Sequence, residues 1–417
     1  MKKTILSLRI LLTLVLILSF SNIAFAITEP EIVGTSAVIM DLDTKEIIYA
    51  KNMDERKQPA SITKLMTALL LAENKNKNDL LTYSEEALSQ APYSYGLNIH
   101  PVTIGDTFTA EDAMDILLLY SGNDIAYMIA ENIGGTVENF VNMMNEKAKT
   151  LGMNNTHFVT PNGLDDDTDD HYTTAYDLAL LLDAAYNNQW VKETMAKKES
   201  EVSSTNGPTA TIENRNKLVG LDGNVGGKTG YTDKSGRCLA AVYNRNGRSL
   251  ATVVLNSEYD FPNDIKVFED TKTLADFGYN AEKTVYISAN SPIDEITVEY
   301  NILPFIGPKK TIKIPITTHE DIKLYDSNLT PEFTYSINDI NTWTLRKDKP
   351  IGTAAVKIKN STFEYDIFSS ISNIDILKSN IIYYIISFLI LIAVICVIFI
   401  IISKINKRRR RKRRLFY

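Results

Sequence analysis

Cysteine is almost missing from this sequence: its 417 residues include two, Cys238 and Cys396. Cys396 lies inside a long apolar run, so the two cannot pair, and neither a disulfide framework nor a cysteine-ligated metal site is available. Histidine is as scarce. His100, His157, His171 and His319 are scattered, with no H-x-x-x-H pair, so the sequence shows no metal site. Charge is missing altogether from the 22 residues Ile381 to Ile402. Basic residues are scarce relative to acids in the part between the two ends. The leader carries three positive charges and the tail nine against a net charge of −7, which leaves −19 on residues 27–380. A body so acidic is a poor partner for DNA or RNA.

The two ends speak to location. Met1-Lys2-Lys3, an apolar run from Ile10 to Phe20 and Ala24-Phe25-Ala26 have the n-region, h-region and A-x-A site of a signal peptide, expected over residues 1–26. Ile381 to Ile402 is long enough to cross a bilayer, and Tyr383 and Tyr384 stand near its start as interface aromatics do. The tail, residues 403–417, holds nine basic residues and no acid, which predicts that it stays cytoplasmic. A basic run can also bind nucleic acid, but its place directly behind an apolar span favours the membrane. The expectation is a single-pass membrane protein whose body is exported and tethered by its C-terminus.

The remaining residues suffice for two domains. Thr35 to Asp41 reads as a strand, Asp43-Thr44-Lys45 as a turn and Glu46 to Ala50 as the return strand. A helix opens near Pro59 and Ser61. Thr109-x-x-Asp112 resembles a capping box ahead of Ala113 to Tyr120. Ile125 to Ile133, Val137 to Leu151 and Thr174 to Tyr186 read as further helices. The period then changes to that of strands over Val225 to Tyr231, Cys238 to Tyr243 and Ser249 to Leu255, the last two joined by the hairpin signal Asn244-Arg245-Asn246-Gly247. A helix from about Asn263 to Gly278 closes the unit. This order predicts an α/β (α+β) domain over 27–280, with an antiparallel sheet, helices on its faces and a helical subdomain. Short β-runs predict a small all-β domain over 281–367, followed by a connector over 368–380.

Three short motifs carry the chemistry: Ser61-Ile62-Thr63-Lys64, Ser121-Gly122-Asn123 and Lys228-Thr229-Gly230. A Ser-x-x-Lys arises by chance roughly once or twice in such a chain, but the ordered triple does not. Ser61 and Lys64 lie one helical turn apart on one face. A serine hydroxyl needs an adjacent base, and a lysine serves as one when burial and a like charge lower its pKa. Lys228 is a source of that like charge. The Ser61 N–H at a helix start suits a developing oxyanion, and the N–H of Tyr231 suits its second donor. Ser121 suits proton relay to a leaving amine, and Asn123 suits a substrate amide and the Lys64 ammonium. Gly230 lets a ligand backbone approach its strand, Thr229 offers a hydroxyl to a carboxylate and Lys228 a positive field.

These residues, with His157-Phe158-Val159-Thr160-Pro161-Asn162-Gly163-Leu164, His171-Tyr172-Thr173-Thr174-Ala175 and Gly227-Lys228-Thr229-Gly230-Tyr231-Thr232, resemble the serine-type D-alanyl-D-alanine carboxypeptidases, the low-molecular-mass penicillin-binding proteins. The resemblance covers nearly all of the exported chain. It implies a β-lactamase/transpeptidase-like domain, a small β domain and C-terminal membrane attachment. Many members end in an amphipathic helix lying on the membrane, whereas this chain has an uninterrupted span. The resemblance also implies removal of the terminal D-alanine from a peptidoglycan stem pentapeptide, β-lactams as covalent inhibitors of the same serine, and no cofactor. Ser61 is then the nucleophile, Lys64 the base, Ser121 and Asn123 the second element and Lys228 the third. The family grips the terminal carboxylate with an arginine upstream of the K-T-G strand. Arg215 matches that motif, with the stretch to Lys228 about two residues short, and Arg237 is the alternative.

A class A β-lactamase shares the three motifs but deacylates with a glutamate between the second and third. No glutamate lies between Ala148 and Lys192 here; an aspartate cluster, Asp165, Asp166, Asp167, Asp169 and Asp170, stands instead and reads as a solvated loop. The motifs are also compatible with endopeptidase or transpeptidase action on the same fold, and with a non-catalytic penicillin-binding sensor. His157 and His171 read as structural.

Overall fold

The computed structural model describes residues 29–90, 102–165, 168–205, 207–303 and 307–413, leaving aside the side chains of 412 and 413. The signal peptide over 1–26, His100, Asp166, Asp167 and Arg414 lie outside the described residues.

The predicted N-terminal hairpin is β1 (Ser36–Asp41) and β2 (Ile47–Lys51). The three later strands are β3 (Asn224–Thr232), β4 (Gly236–Arg245) and β5 (Arg248–Ser257). They form one antiparallel sheet in the order β2-β1-β5-β4-β3. Arg245 pairs with Arg248, so the β4–β5 loop is Asn246-Gly247, both at positive φ (54° and 86°) as a tight primed turn requires. Strands from both ends of this stretch of sequence thus share one sheet, with the helices of one face between them and a last helix after them.

Every residue of β1 is buried because the sheet is covered on both faces. Val38 and Met40 join one cluster with Val253, Leu255, Ala240 and Val242, while Ala37 and Ile39 join another with Val254, Leu239 and Ala241. That is the period-two alternation of a strand. The first cluster contains α1 (Lys64–Asn74), α2 (Ala110–Asp115), α3 (Asn123–Gly134), α4 (Val137–Thr150) and α5 (Ala175–Asn187). The second contains α6 (Lys266–Asn280), through Val267, Phe268, Leu274 and Ala275.

Two local expectations change. Thr109 caps α2 by accepting from the Asp112 N–H, but the Asp112 carboxylate accepts from the Thr109 hydroxyl rather than from the Thr109 N–H that would complete a capping box. The helix expected through Tyr120 is α-helical only to Asp115. Ile116–Tyr120 is a π-helical turn, which ends at Ser121 with left-handed backbone (φ 74°). Such widened turns gather at functional sites.

Beyond α6 come β6 (Thr284–Ile287), β7 (Pro292–Asn301), β8 (Lys309–Thr317), β9 (Ile322–Leu324), β10 (Glu332–Ile337), β11 (Pro350–Ile358) and β12 (Ser361–Ser369). Five make an antiparallel sheet in the order β7-β8-β12-β11-β10, and β6 pairs with β9. A separate core of Tyr300, Ile314, Ile316, Leu345, Ile351, Ala354, Ile367 and Ile376 fills this unit. The connecting segment continues β12 to Ser369 and then forms α7 (Asn373–Ser379), closed by a capping box between Ser372 and Asp375. One helix, α8 (Ile381–Arg413), follows, long and apolar enough to cross a membrane.

Candidate active site

Three segments distant in sequence meet at one edge of the sheet. A 3₁₀ turn, Ala60–Thr63, leads into α1. In 3₁₀ geometry residues i and i+3 eclipse, so Lys64 stands directly over Ser61. The lysine Nζ lies 2.9 Å from the Ser61 hydroxyl oxygen, 2.8 Å from Asn123 Oδ1 and 2.7 Å from the Asn162 carbonyl oxygen. The last two partners accept only. A neutral amine donating to both has its lone pair left for the serine hydroxyl, which is the orientation a base needs.

Lys64 is fully buried, and burial holds its pKa well below the ordinary lysine value. Arg215 adds to this by repulsion and Asp124 opposes it. The sequence pointed to Lys228 as the like charge; Lys64 and Lys228 do repel each other, and Arg215 acts on both. Lys228 is also fully buried and lowered, first by burial and then by Lys64, Arg215 and Arg237. Its Nζ donates to the Thr229 carbonyl at 2.9 Å.

Strand β3 packs onto the 3₁₀ turn, and Gly230 is what permits it. A Cβ there would stand 3.0 Å from the Pro59 carbonyl oxygen and 3.3 Å from the Ser61 nitrogen. On the other side Gly163, at φ 88°, presses the 160–164 loop against the same turn: a Cβ would fall 1.9 Å from the Ala60 carbonyl oxygen. That loop supplies the Asn162 carbonyl to Lys64. Ala60 itself has left-handed backbone (φ 48°), strain of the sort found at functional sites.

Ser61, Ser121, Asn123, Arg215, Thr229, Gly230, Tyr231 and Arg237 all line one cleft of about 960 Å³, with the two lysines buried beneath it. The candidate arginines differ in circumstance. Arg237 is held in a two-point ion pair with Asp264 and lies over the rings of Tyr231 and Tyr259. Arg215 is exposed, its guanidinium 4.5 Å above the Tyr120 ring, and its backbone N–H bonds to Leu119 of the π-turn.

His171 is fully buried, between the Thr63 hydroxyl (2.9 Å) and the Val159 N–H (3.1 Å), and burial pushes its pKa down to about 3. His157 bonds to the Asp170 carbonyl. Both rings thus brace the 157–171 segment, as structural histidines do. Of the aspartate cluster, Asp165 accepts from Thr232 and Asp169 pairs with Lys234; among the described residues no group of acids, histidines and cysteines is placed to hold a metal. Two contributors escape residue-by-residue reading of the sequence: the Asn162 carbonyl, a backbone atom, and Tyr120, under Arg215. The positive-φ requirement of Asn-Gly at 162–163 is the available signal for the first.

The sheet, its helical subdomain and the second β unit have a solved counterpart in the crystal structure of the D-alanyl-D-alanine carboxypeptidase DacD from Francisella tularensis. The TM-score is 0.58 at 23% identity, covering 85% of this chain and 99% of that one, a likeness of fold. The fold class is thus that of the penicillin-binding, β-lactamase-like proteins. In sequence, the chain is 29% identical to D-alanyl-D-alanine carboxypeptidase DacF of Bacillus subtilis over 320 residues, 75% of this chain and 81% of that one. It is 34% identical to a D-alanyl-D-alanine endopeptidase of Escherichia coli over 234 residues, 55% of this chain and 73% of the relative. The family model for D-alanyl-D-alanine carboxypeptidase, peptidase S11, matches residues 23–259, and the chain belongs to that family of serine hydrolases.

Proposed function

We propose that this chain removes the terminal D-alanine from peptidoglycan stem pentapeptides through an acyl-enzyme on Ser61. Neutral Lys64 takes the Ser61 proton as the hydroxyl attacks the D-Ala–D-Ala carbonyl. The oxyanion is held by the N–H groups of Ser61 and Tyr231. The proton passes from Lys64 through Ser121 to the leaving amine, and D-alanine departs. Water then hydrolyses the ester and returns the proton to Ser61. Asn123 orients Lys64 and the substrate amide. Thr229 and Arg215 bind the terminal carboxylate in the field of Lys228, and Gly230 admits the peptide backbone beside β3. The same attack on a β-lactam gives a covalent penicilloyl enzyme.

The observation that carries this reading is the Lys64 amine, fully buried, lowered in pKa and directed at Ser61 by two acceptors. The free state of Arg215 beside the ion-paired Arg237 supports the former as the carboxylate ligand. The borders proposed are 27–280 for the catalytic domain, 281–367 for the β domain and 368–380 for the connector. With the basic tail retained in the cytoplasm, a single crossing leaves the catalytic body on the wall side.

Free D-alanine from a diacetylated Lys-D-Ala-D-Ala peptide, measured beside fluorescent-penicillin labelling, tests the reading. Ser61→Ala is expected to abolish labelling and to lower release by about 10³-fold or more. Labelling of the wild type without release makes the protein a sensor. Rapid loss of the label makes it a β-lactamase. The relative named an endopeptidase favours one second reading, and faster cleavage of cross-linked dimers than of pentapeptide establishes it.

A further inference from the structure

The chain does not leave the β unit on a loose tether. Asn380, the residue before α8, is fully buried. Its side-chain amide donates to the Tyr300 hydroxyl (2.6 Å) and the Ile376 carbonyl (2.9 Å) and accepts from Lys310 Nζ (3.0 Å). Tyr300 and Lys310 are cross-strand partners in the β7–β8 hairpin. Helix α7 is tied in turn to the loop before β11: the Asn373 backbone N–H donates to the Leu345 carbonyl and its side-chain amide to the Trp343 carbonyl, while Lys347 pairs with Asp375. The head of α8 is therefore fastened to the β unit at two places.

The same fastening carries the β unit to the depth of the helix. The Trp343 ring lies 6.4 Å from that of Tyr384, and Lys310 Nζ lies 5.7 Å from the Tyr383 ring. Tyr383 and Tyr384 stand about 3 and 4.5 Å along the axis from Ile381. When Ile381 to Ile402 spans a bilayer, Tyr383 and Tyr384 lie at its headgroup boundary. Trp343 and Lys310 must then lie there too, an indole and an ammonium on a long apolar stem, the two side-chain types suited to that layer.

We propose that the β-rich unit rests directly on the lipid surface, with Trp343 and Lys310 seated in the headgroup layer beside Tyr383 and Tyr384. It thereby holds the catalytic cleft at a fixed height and orientation above the membrane. The partner is the bilayer that α8 crosses, and the proposal rests on that reading of α8.

The test uses the full chain reconstituted into phospholipid vesicles. The protein has two tryptophans, so Trp190→Phe leaves Trp343 as the sole reporter. Lipids brominated near the headgroup end of the acyl chain are expected to quench it at least about twofold more than lipids brominated near the methyl end, as an interfacial indole requires. The difference between wild type and Trp343→Phe gives the same quantity should Trp190→Phe fold poorly. Resistance to alkaline extraction is measured on the same vesicles. Inserted protein with no quenching by either lipid overturns the proposal and leaves the membrane span standing. Protein extracted at alkaline pH overturns the span, and the proposal with it.

Discussion

At the scale of single residues, the cleft turns on which basic groups are free. Lys64 spends its donors on Asn123 and Asn162 and faces Ser61, while Lys228 is closed against its own strand. Arg237 is neutralised by Asp264, and Arg215 has no ion-pair partner among the described residues. Arg215→Ala is therefore expected to raise KM for a peptide with a free terminal carboxylate by about 10- to 100-fold, the loss of a charged hydrogen bond, with little change in melting temperature. Arg237→Ala has the opposite profile: roughly 1–2 kcal/mol of stability lost with the half-buried ion pair, and KM altered far less. Steady-state kinetics with thermal unfolding of both variants separates them. In the sequence only a motif match sets Arg215 ahead of Arg237. The ion pair of Arg237 with Asp264, a contact across 27 residues, separates them in the fold.

At the scale of elements, the site depends on turns that are not regular helix. The 3₁₀ turn eclipses Ser61 and Lys64, the π-turn delivers Ser121, and the 157–171 segment braces the 3₁₀ turn and Lys64 by way of Asn162 and His171. His171 couples this bracing to pH. Its pKa falls from the ordinary 6.5 to about 3 on folding, because burial disfavours the charged ring. Between those values the unfolded chain binds a proton that the folded chain refuses. The contribution is thus present in full above pH 6.5 and is lost as pH falls toward 3, with a slope of up to about 1.4 kcal/mol per unit. Denaturant unfolding of wild type and His171→Gln over that range is expected to show a shallower pH dependence in the variant; identical slopes refute the assignment. The helices themselves are readable from their 3.6-residue period. The π-turn is not, because Ile116 to Leu119 is as apolar as a straight helix would be, and the widening is decided where Ser121 must turn.

At the scale of the whole molecule, the unit built on the first sheet and the β unit that follows it are joined by polar contacts. Lys283 pairs with Glu46, Lys359 with Asp54, and Arg248 bonds to the Tyr325 hydroxyl as well as to Asp41. The cleft lies in the first unit, and none of the described residues lining it comes from the second. A chain ending at Ser379 is therefore expected to leave the membrane fraction, to become soluble and to keep kcat/KM on a soluble peptide within about twofold. Fractionation with the D-alanine assay checks both outcomes, and a collapse of activity refutes the independence of the cleft. Local pattern was enough to define the strand and helix periods, the long uncharged run, the Asn246-Gly247 turn and the three motifs that carry the chemistry. Folding was needed to settle which cation is ion-paired, which backbone carbonyl orients Lys64, and that the apolar helix is fastened to the β unit through Asn380. Those are contacts between residues far apart in the chain, and their strength comes from burial, which no local window contains.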